Sequence, residues 1–244
     1  MNIRRPFVKV LFITKRLYMS KDLLNDQYGR FYEIPMLLNE NGNQVFIVCI
    51  SYRTSLEADD HCISPLQWRH YKLGVNPFYG LYRYYSGLND VVKIFQPDII
   101  VGASDSFNVI LAAILAKKHK LPYVADLYDN FESYQATLFP GIRTMFARAV
   151  KNANGVAVVS DALHEYVCSN YKPQGKVCVV ENAIVPDLFH QADKYIARKK
   201  LQLPQEGYFI GTAGALYRQR GIGVLFEAFN LLGFNSPQLA ANEK

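Results

Sequence analysis

Short apolar runs alternate along this chain with longer stretches whose apolar residues recur at helical spacing. Residues 8–14 form a run of strand length. Phe31, Ile34, Leu37 and Leu38 follow three and four apart, which predicts a helix over 29–39 that Asn41-Gly42-Asn43 stops. The next strand, 44–51, leaves no polar face from Val45 to Ile50. A strand without alternation is one buried on both faces, as in parallel sheets. The pattern then predicts a helix over 81–95 closed by Gln96-Pro97, a strand over 98–102, an alanine-rich helix over 107–118 and a strand over 122–127. A helix over 141–152, a strand over 156–160, a helix over 161–169 with Ser160 as N-cap, and a strand over 176–181 complete the series. Residues 52–77 show no regular period and predict irregular chain.

Repeated strand–helix units with unbroken apolar strands predict an α/β fold: a Rossmann-like doubly wound parallel sheet of about six strands with helices on both faces. That makes one complete domain, 1–185. From 186 to 206 the composition turns polar and basic, as in a linker. A strand at 208–211 and a helix at 221–232 then open a second Rossmann-like unit, 207–244. One strand and one helix cannot bury two faces of a sheet, so this unit is expected to be the truncated start of a longer domain, and the chain an incomplete copy.

Composition narrows the classes. The chain of 244 residues is 50% hydrophobic and 20% charged, which excludes disordered and fibrous proteins. A formal net charge of +6 suits a nucleotide diphosphate, nucleic acid or an anionic membrane face, and equally a mildly basic globular protein. The basic residues are scattered, which counts against nucleic acid. The four cysteines form no CxxC, no histidine pair has zinc spacing, and no metal site is expected. Cys49 and Cys178 lie in apolar runs and are expected in the core of a reduced, cytoplasmic chain. Residues 1–13 look like a leader until Lys9 interrupts the run. No stretch has membrane-spanning length, so membrane contact would be peripheral. Trp68, Arg69, His70, Tyr71 and Lys72, with Tyr79, Tyr82, Arg83, Tyr84 and Tyr85, mix basic and aromatic groups. That mixture suits a membrane interface and, equally, core aromatics beneath a solvated basic face.

In open parallel sheets ligands bind beyond the carboxyl ends of the strands, so the residues after each strand are the candidates. Gly29 opens a helix after a long loop, where a glycine admits a ligand or simply makes a turn. Ser104 lies in Gly102-Ala103-Ser104-Asp105-Ser106, where Asp105 or Ser106 can also cap the next helix. Asp126-Leu127-Tyr128-Asp129-Asn130 is dense in groups that orient hydroxyls or transfer protons. Asn182 stands at the next strand end. Gly211, Gly214 and Gly221 with Arg218 and Arg220 join a strand to a helix, a combination suited to a diphosphate. It is neither a Walker A loop nor a GxGxxG, and the missing GxGxxG after the first strand counts against a dehydrogenase.

Several pieces now stand in a telling order. They are the glycine loop, Pro122-Tyr123-Val124 running to acidic residues, Val158-Val159-Ser160-Asp161, Val180-Glu181-Asn182-Ala183 with Phe189, and Gly214-Ala215-Leu216 with Arg220-Gly221-Ile222 and Leu225-Phe226-Glu227-Ala228-Phe229. Over residues 8–232 the chain resembles the retaining glycosyltransferases of family 4 (glycosyl transferase group 1), which have the GT-B fold. The resemblance implies an N-terminal acceptor domain facing a C-terminal domain that binds a nucleotide-diphosphate sugar. It implies hexosyl transfer with retention to a cell-surface glycan or lipid-linked sugar, as in polysaccharide biosynthesis, with no cofactor and no obligatory metal. The location implied is cytoplasmic, peripheral on the inner membrane face. Asp126, Tyr128 and Asp129 become the catalytic candidates. Gly29, Ser104, Asn182, Arg218 and Arg220 become the substrate-binding ones, with Gly29 and Arg220 matching the family's phosphate contacts. The family often has histidine where Tyr128 stands, arginine where Ala215 stands and glycine where Tyr28 stands. Its paired glutamates do not follow Arg220, so this stretch by itself is expected not to transfer sugar. The alternative is a non-catalytic, degenerate glycosyltransferase-like binding subunit.

Overall fold

The computed structural model describes residues 7–19, 21–52, 60–63, 66–131, 141–184, 191–212 and 221–231, with 60–63 described as backbone. The chain divides into two compact units, Met1–Ile184 and Val185–Lys244.

The first unit is built on one eight-stranded sheet. Its strands are β1 (Lys9–Lys15), β4 (Gln44–Ser51), β5 (Asp60–Ile63), β6 (Leu66–Lys72), β7 (Ile99–Ala103), β8 (Tyr123–Leu127), β9 (Gly155–Val158) and β10 (Lys176–Val179). They lie in the order β10-β9-β8-β7-β1-β4-β6-β5. Seven of them run parallel, and β5 alone pairs antiparallel, at the edge against β6. A separate small ribbon pairs β2 (Leu17–Tyr18) with β3 (Lys21–Asp22). The sheet is thus the expected doubly wound one, with two strands drawn from the stretch that sequence pattern left irregular.

Side-chain alternation explains the layering. Val10 and Phe12 of β1 fall in one apolar cluster with Val45, Ile47 and Cys49 of β4 and with Phe31 of helix α1 (Arg30–Glu40). Leu11 and Ile13 fall in the other, with Val48 and Ile50. That second cluster takes its helical side from α2 (Pro77–Phe95), α3 (Ser106–His119), α4 (Ile142–Lys151) and α5 (Asp161–Tyr171). Among the described residues one helix therefore covers one face and four cover the other, and period-2 alternation feeds both.

Local signals set the helix ends. Asp105 and Ser160 accept N–H hydrogen bonds from Asn108 and Leu163 and so cap α3 and α5. The helix expected from 81 begins a turn earlier, because Asn76 caps it and Pro77 occupies its first turn. Cys49 is in the core, where burial pushes its thiol up to about 12. Cys178, also expected there, is exposed because β10 is an edge strand.

The second unit contains α6 (Lys194–Lys200), capped by Asp193, and α7 (Ile222–Leu231), none of whose residues is buried. Arg198 of α6 donates to the carbonyls of Gln205 and Gly207, and its guanidinium lies 4.7 Å from the Phe209 ring centroid. Residues 208–211, expected as a strand, are not in one. An extended segment becomes a strand only when a neighbour takes up its backbone hydrogen bonds.

Candidate active site at the strand tips

Because β1, β7, β8, β9 and β10 are parallel, their carboxyl ends open on one edge of the sheet. Lys15 ends β1. Its backbone N–H donates to Ser104 Oγ (2.8 Å) and its Nζ donates to Tyr128 Oη (3.1 Å). Ser104 follows β7 with φ +78° and is buried, a strained geometry held by its partners. Its Oγ also accepts from Asn108 Nδ2 (3.3 Å), and Asn108 Oδ1 accepts from Tyr84 Oη (2.9 Å). A polar chain therefore runs Tyr84–Asn108–Ser104–Lys15–Tyr128 across the tips. Beside it, Asp105 accepts from Tyr52 Oη (2.9 Å), and burial raises its carboxyl pKa above the ordinary aspartate value.

Tyr128 is half-buried. Tyr18, Phe31 and Phe131 meet its ring edge-on, each with centroids 5.3 Å away. Such contacts fix the ring while leaving its hydroxyl to polar partners. Gly29 leans on the same cluster: a Cβ there would lie 2.8 Å from Tyr18 Cε1, and its backbone stands at φ +83°, ψ 179°. A region open essentially to glycine alone thus coincides with a close approach to an aromatic ring.

Arg30, the next residue, reaches across the sheet. Its Nε donates to both oxygens of Asp126 (3.1 Å each), its Nη2 to Oδ1 (2.6 Å), and its Nη1 to the carbonyl of Val180 just beyond β10. The two side chains are 2% and 3% exposed, so this is a buried bidentate pair. Burial raises the Asp126 pKa, and the Arg30 hydrogen bonds and charge pull part of that back. The pair pins the start of α1 to the tips of β8 and β10.

A second buried pair shapes the loop after β1. Arg16 Nε and Nη2 donate to Asp22 at 2.9 Å, and Arg16 Nη1 donates to His70 Nδ1 at 2.8 Å, which places the lone pair of that imidazole nitrogen toward Arg16. Burial pushes the Asp22 pKa up, but Arg16 and the backbone N–H groups of Leu24 and Asn25 outweigh it, and the net pKa is lowered.

Of the residues singled out from sequence, Gly29, Ser104, Asp126 and Tyr128 come together at this edge. Asp129 is exposed just beyond Tyr128, with Oδ1 accepting from the Asn130 N–H (2.7 Å). Asn182 is exposed two residues past Val180. Arg218 and Arg220 lie outside the described residues. Sequence reasoning missed Lys15, Arg16, Arg30 and Asp22. Lys15 and Arg16 carry a readable signal, two cations at the very end of an apolar strand, and Arg30 directly follows the loop glycine.

Residues 32–188 match the family described as Glycosyltransferase Family 4. The chain belongs to that family. Among solved structures this family-4 chain is similar to sucrose-phosphate synthase from Thermosynechococcus elongatus, at 15% identity over 92% of this chain and 60% of that one, with a TM-score of 0.72. It is also similar to UGT89C1 from Arabidopsis thaliana complexed with quercetin (12% identity, 97% of this chain, 68% of that one, TM-score 0.54). A third likeness is to Anabaena Alr3699/HepE in complex with UDP (12% identity, 80% and 50%, TM-score 0.50). At such identities the likeness shows the fold, GT-B. The family-4 chain spans less than two thirds of the length of the sucrose-phosphate synthase chain. No curated protein matches it in sequence.

Proposed function

We propose that this family-4 chain supplies the acceptor side of a retaining hexosyl transfer from a nucleotide-diphosphate sugar to a glycan or lipid-linked sugar. The observation that carries the reading is the Lys15–Tyr128 hydrogen bond at the strand tips, where ligands of parallel sheets bind. The Tyr128 hydroxyl accepts from Lys15, which leaves its own proton for an acceptor oxygen. The exposed carboxylate of Asp129 suits a hydroxyl proton. Asp126 is committed to Arg30 and acts as a positioning residue, holding Gly29 and the start of α1 in place. Ser104 spends its hydroxyl on Lys15 and Asn108 and shapes the floor. Arg218 and Arg220 neutralise the donor diphosphate, and Asn182, exposed just past β10, is a substrate-binding residue in the same reading. No cofactor or metal enters this scheme, and it operates on the cytoplasmic side. The UDP bound by HepE and the hydroxyl-bearing quercetin bound by UGT89C1 support a donor of this class and an acceptor with a free hydroxyl.

Saturation-transfer NMR against a panel of mono- and disaccharides tests the acceptor reading. At least one sugar is expected to show transfer, and Lys15→Met is expected to weaken it about tenfold, the loss of one charge-assisted hydrogen bond. Radiolabelled nucleotide-sugars should give no product above background with this polypeptide alone. Absence of transfer to every sugar refutes the acceptor side, and clear turnover refutes the need for further donor-domain residues.

A further inference from the structure

The mixed aromatic and basic residues near position 80 are sorted by the fold into two sets. Trp68 and Tyr84 are buried at 1% and 0% exposure, and Tyr85 is half-buried beneath Lys118. Val75, Phe78, Tyr79 and Tyr82 stand out at 96%, 85%, 60% and 67%. Phe78, Tyr79 and Tyr82 share one face of the first turns of α2, with Val75 just before the Asn76 cap, and that face lies opposite Tyr84, Leu88, Val91 and Val92, which α2 turns toward the sheet. This outer face is apolar where a solvated helix would be polar.

The charges carried by this stretch are positive. Residues 61–89 contain no aspartate or glutamate, and Lys72 and Arg83 are exposed there. A Cβ on Gly80 would sit 1.8 Å from the carbonyl oxygen of Leu73, so the end of β6, and Lys72 with it, is pressed against the start of α2. The first acid beyond the stretch, Asp90, lies two turns further along, 4.0 Å from Lys93.

We infer that this face of α2 docks on an anionic lipid surface, with Phe78, Tyr79 and Tyr82 entering the headgroup layer and Lys72 and Arg83 meeting its negative charge. Amphipathic tyrosines flanked by cations fit that layer, where one end of the ring is apolar and the other wet. No helix among the described residues is long and apolar enough to cross a membrane, so the contact is interfacial. The patch also adjoins the strand tips: Tyr84, next to Arg83, hydrogen-bonds Asn108, the start of the chain that ends at Lys15 and Tyr128. Docking does not depend on the glycosyl-transfer reading. Its use, presenting a lipid-linked acceptor to those tips, rests on that reading.

Flotation of the full chain with vesicles of phosphatidylcholine alone, or of phosphatidylcholine with phosphatidylglycerol, tests the inference at low and high salt. Binding is expected to the anionic vesicles and to fall with salt. Phe78→Ser with Tyr82→Ser should weaken it at least about tenfold. Lys72→Glu and Arg83→Glu should each weaken it about fivefold or more. Unchanged thermal melts keep misfolding out of the comparison. Failure to float with anionic vesicles at low salt overturns the inference, and so does undiminished binding by the serine variant. A concentration-dependent dimer lost in the serine variant, without vesicle binding, would assign the face to a second copy instead.

Discussion

Gly29→Ala separates a backbone effect from a packing effect at the strand tips. Glycine there sits at φ +83°, ψ 179°, which costs another residue about 1–3 kcal/mol. The new methyl would also meet Tyr18 Cε1 at 2.8 Å. Tyr18 cannot swing aside freely, because its ring is wedged against Phe31 (4.7 Å) and Tyr128 (5.3 Å). Overpacking of that kind adds about 1–3 kcal/mol. Gly141 is a milder comparison, left-handed at φ +86°, ψ −26° with nothing within 4 Å of an added Cβ, so Gly141→Ala carries a smaller backbone cost and no packing cost. The single tryptophan, Trp68, lies in the core of the first unit, and its fluorescence reports unfolding of that unit. For a unit of this size Gly29→Ala should lower the melting temperature by on the order of 10 °C, and Gly141→Ala by about 2–6 °C. Tyr18→Leu in the Gly29→Ala background should recover part of the loss, with a coupling energy of about 1 kcal/mol or more. Equal melting temperatures for the two alanine variants, or a cycle additive to within about 0.5 kcal/mol, would refute the steric reasoning.

Two further outcomes follow from the buried pairs. Arg30→Met leaves the Asp126 carboxyl buried without its cation and should cost about 3–5 kcal/mol in urea unfolding, whereas Arg30→Met with Asp126→Leu should recover most of it; a double variant no better than the single contradicts the pairing. Asp22 has a lowered pKa in the folded state, so its contribution is present above the unfolded value of about 3.9 and is lost as pH falls through the folded value. Asp22→Asn should therefore cost on the order of 3 kcal/mol at neutral pH, with the gap to the parent closing in acid; a gap independent of pH contradicts the Arg16 partnership.

Much of the first unit was legible because its strands are buried on both faces and its helices carry their own punctuation. The strand at Gln44–Ser51 has the bounds that the apolar run predicts, and Ser160 caps α5 where the pattern puts it. The stretch 52–77 was opaque for a physical reason. Here β6 alternates buried and half-open positions at one side of the sheet, and β5 has only β6 for a neighbour. Strands of that kind owe their state to a partner rather than to a continuous apolar run. Residues 208–211 fail in the opposite sense, carrying a strand-like run without being in a strand.

At the candidate site, local order decided the positions and long-range contact decided the tasks. Sequence alone placed Gly29, Ser104, Asp126 and Tyr128 at strand or helix ends, since that follows from the alternation of elements in a parallel sheet. It could not show that Asp126 would spend its charge on Arg30, 96 positions away, or that Tyr128 would take the hydrogen bond of Lys15, 113 away. Nor could it divide the tyrosines of α2 between core and surface, because helical phase is set only when the helix meets its sheet. Periodicity is a property of neighbours along the chain, whereas pairing, burial and the charge state that follows from them belong to groups that meet only after the chain has folded.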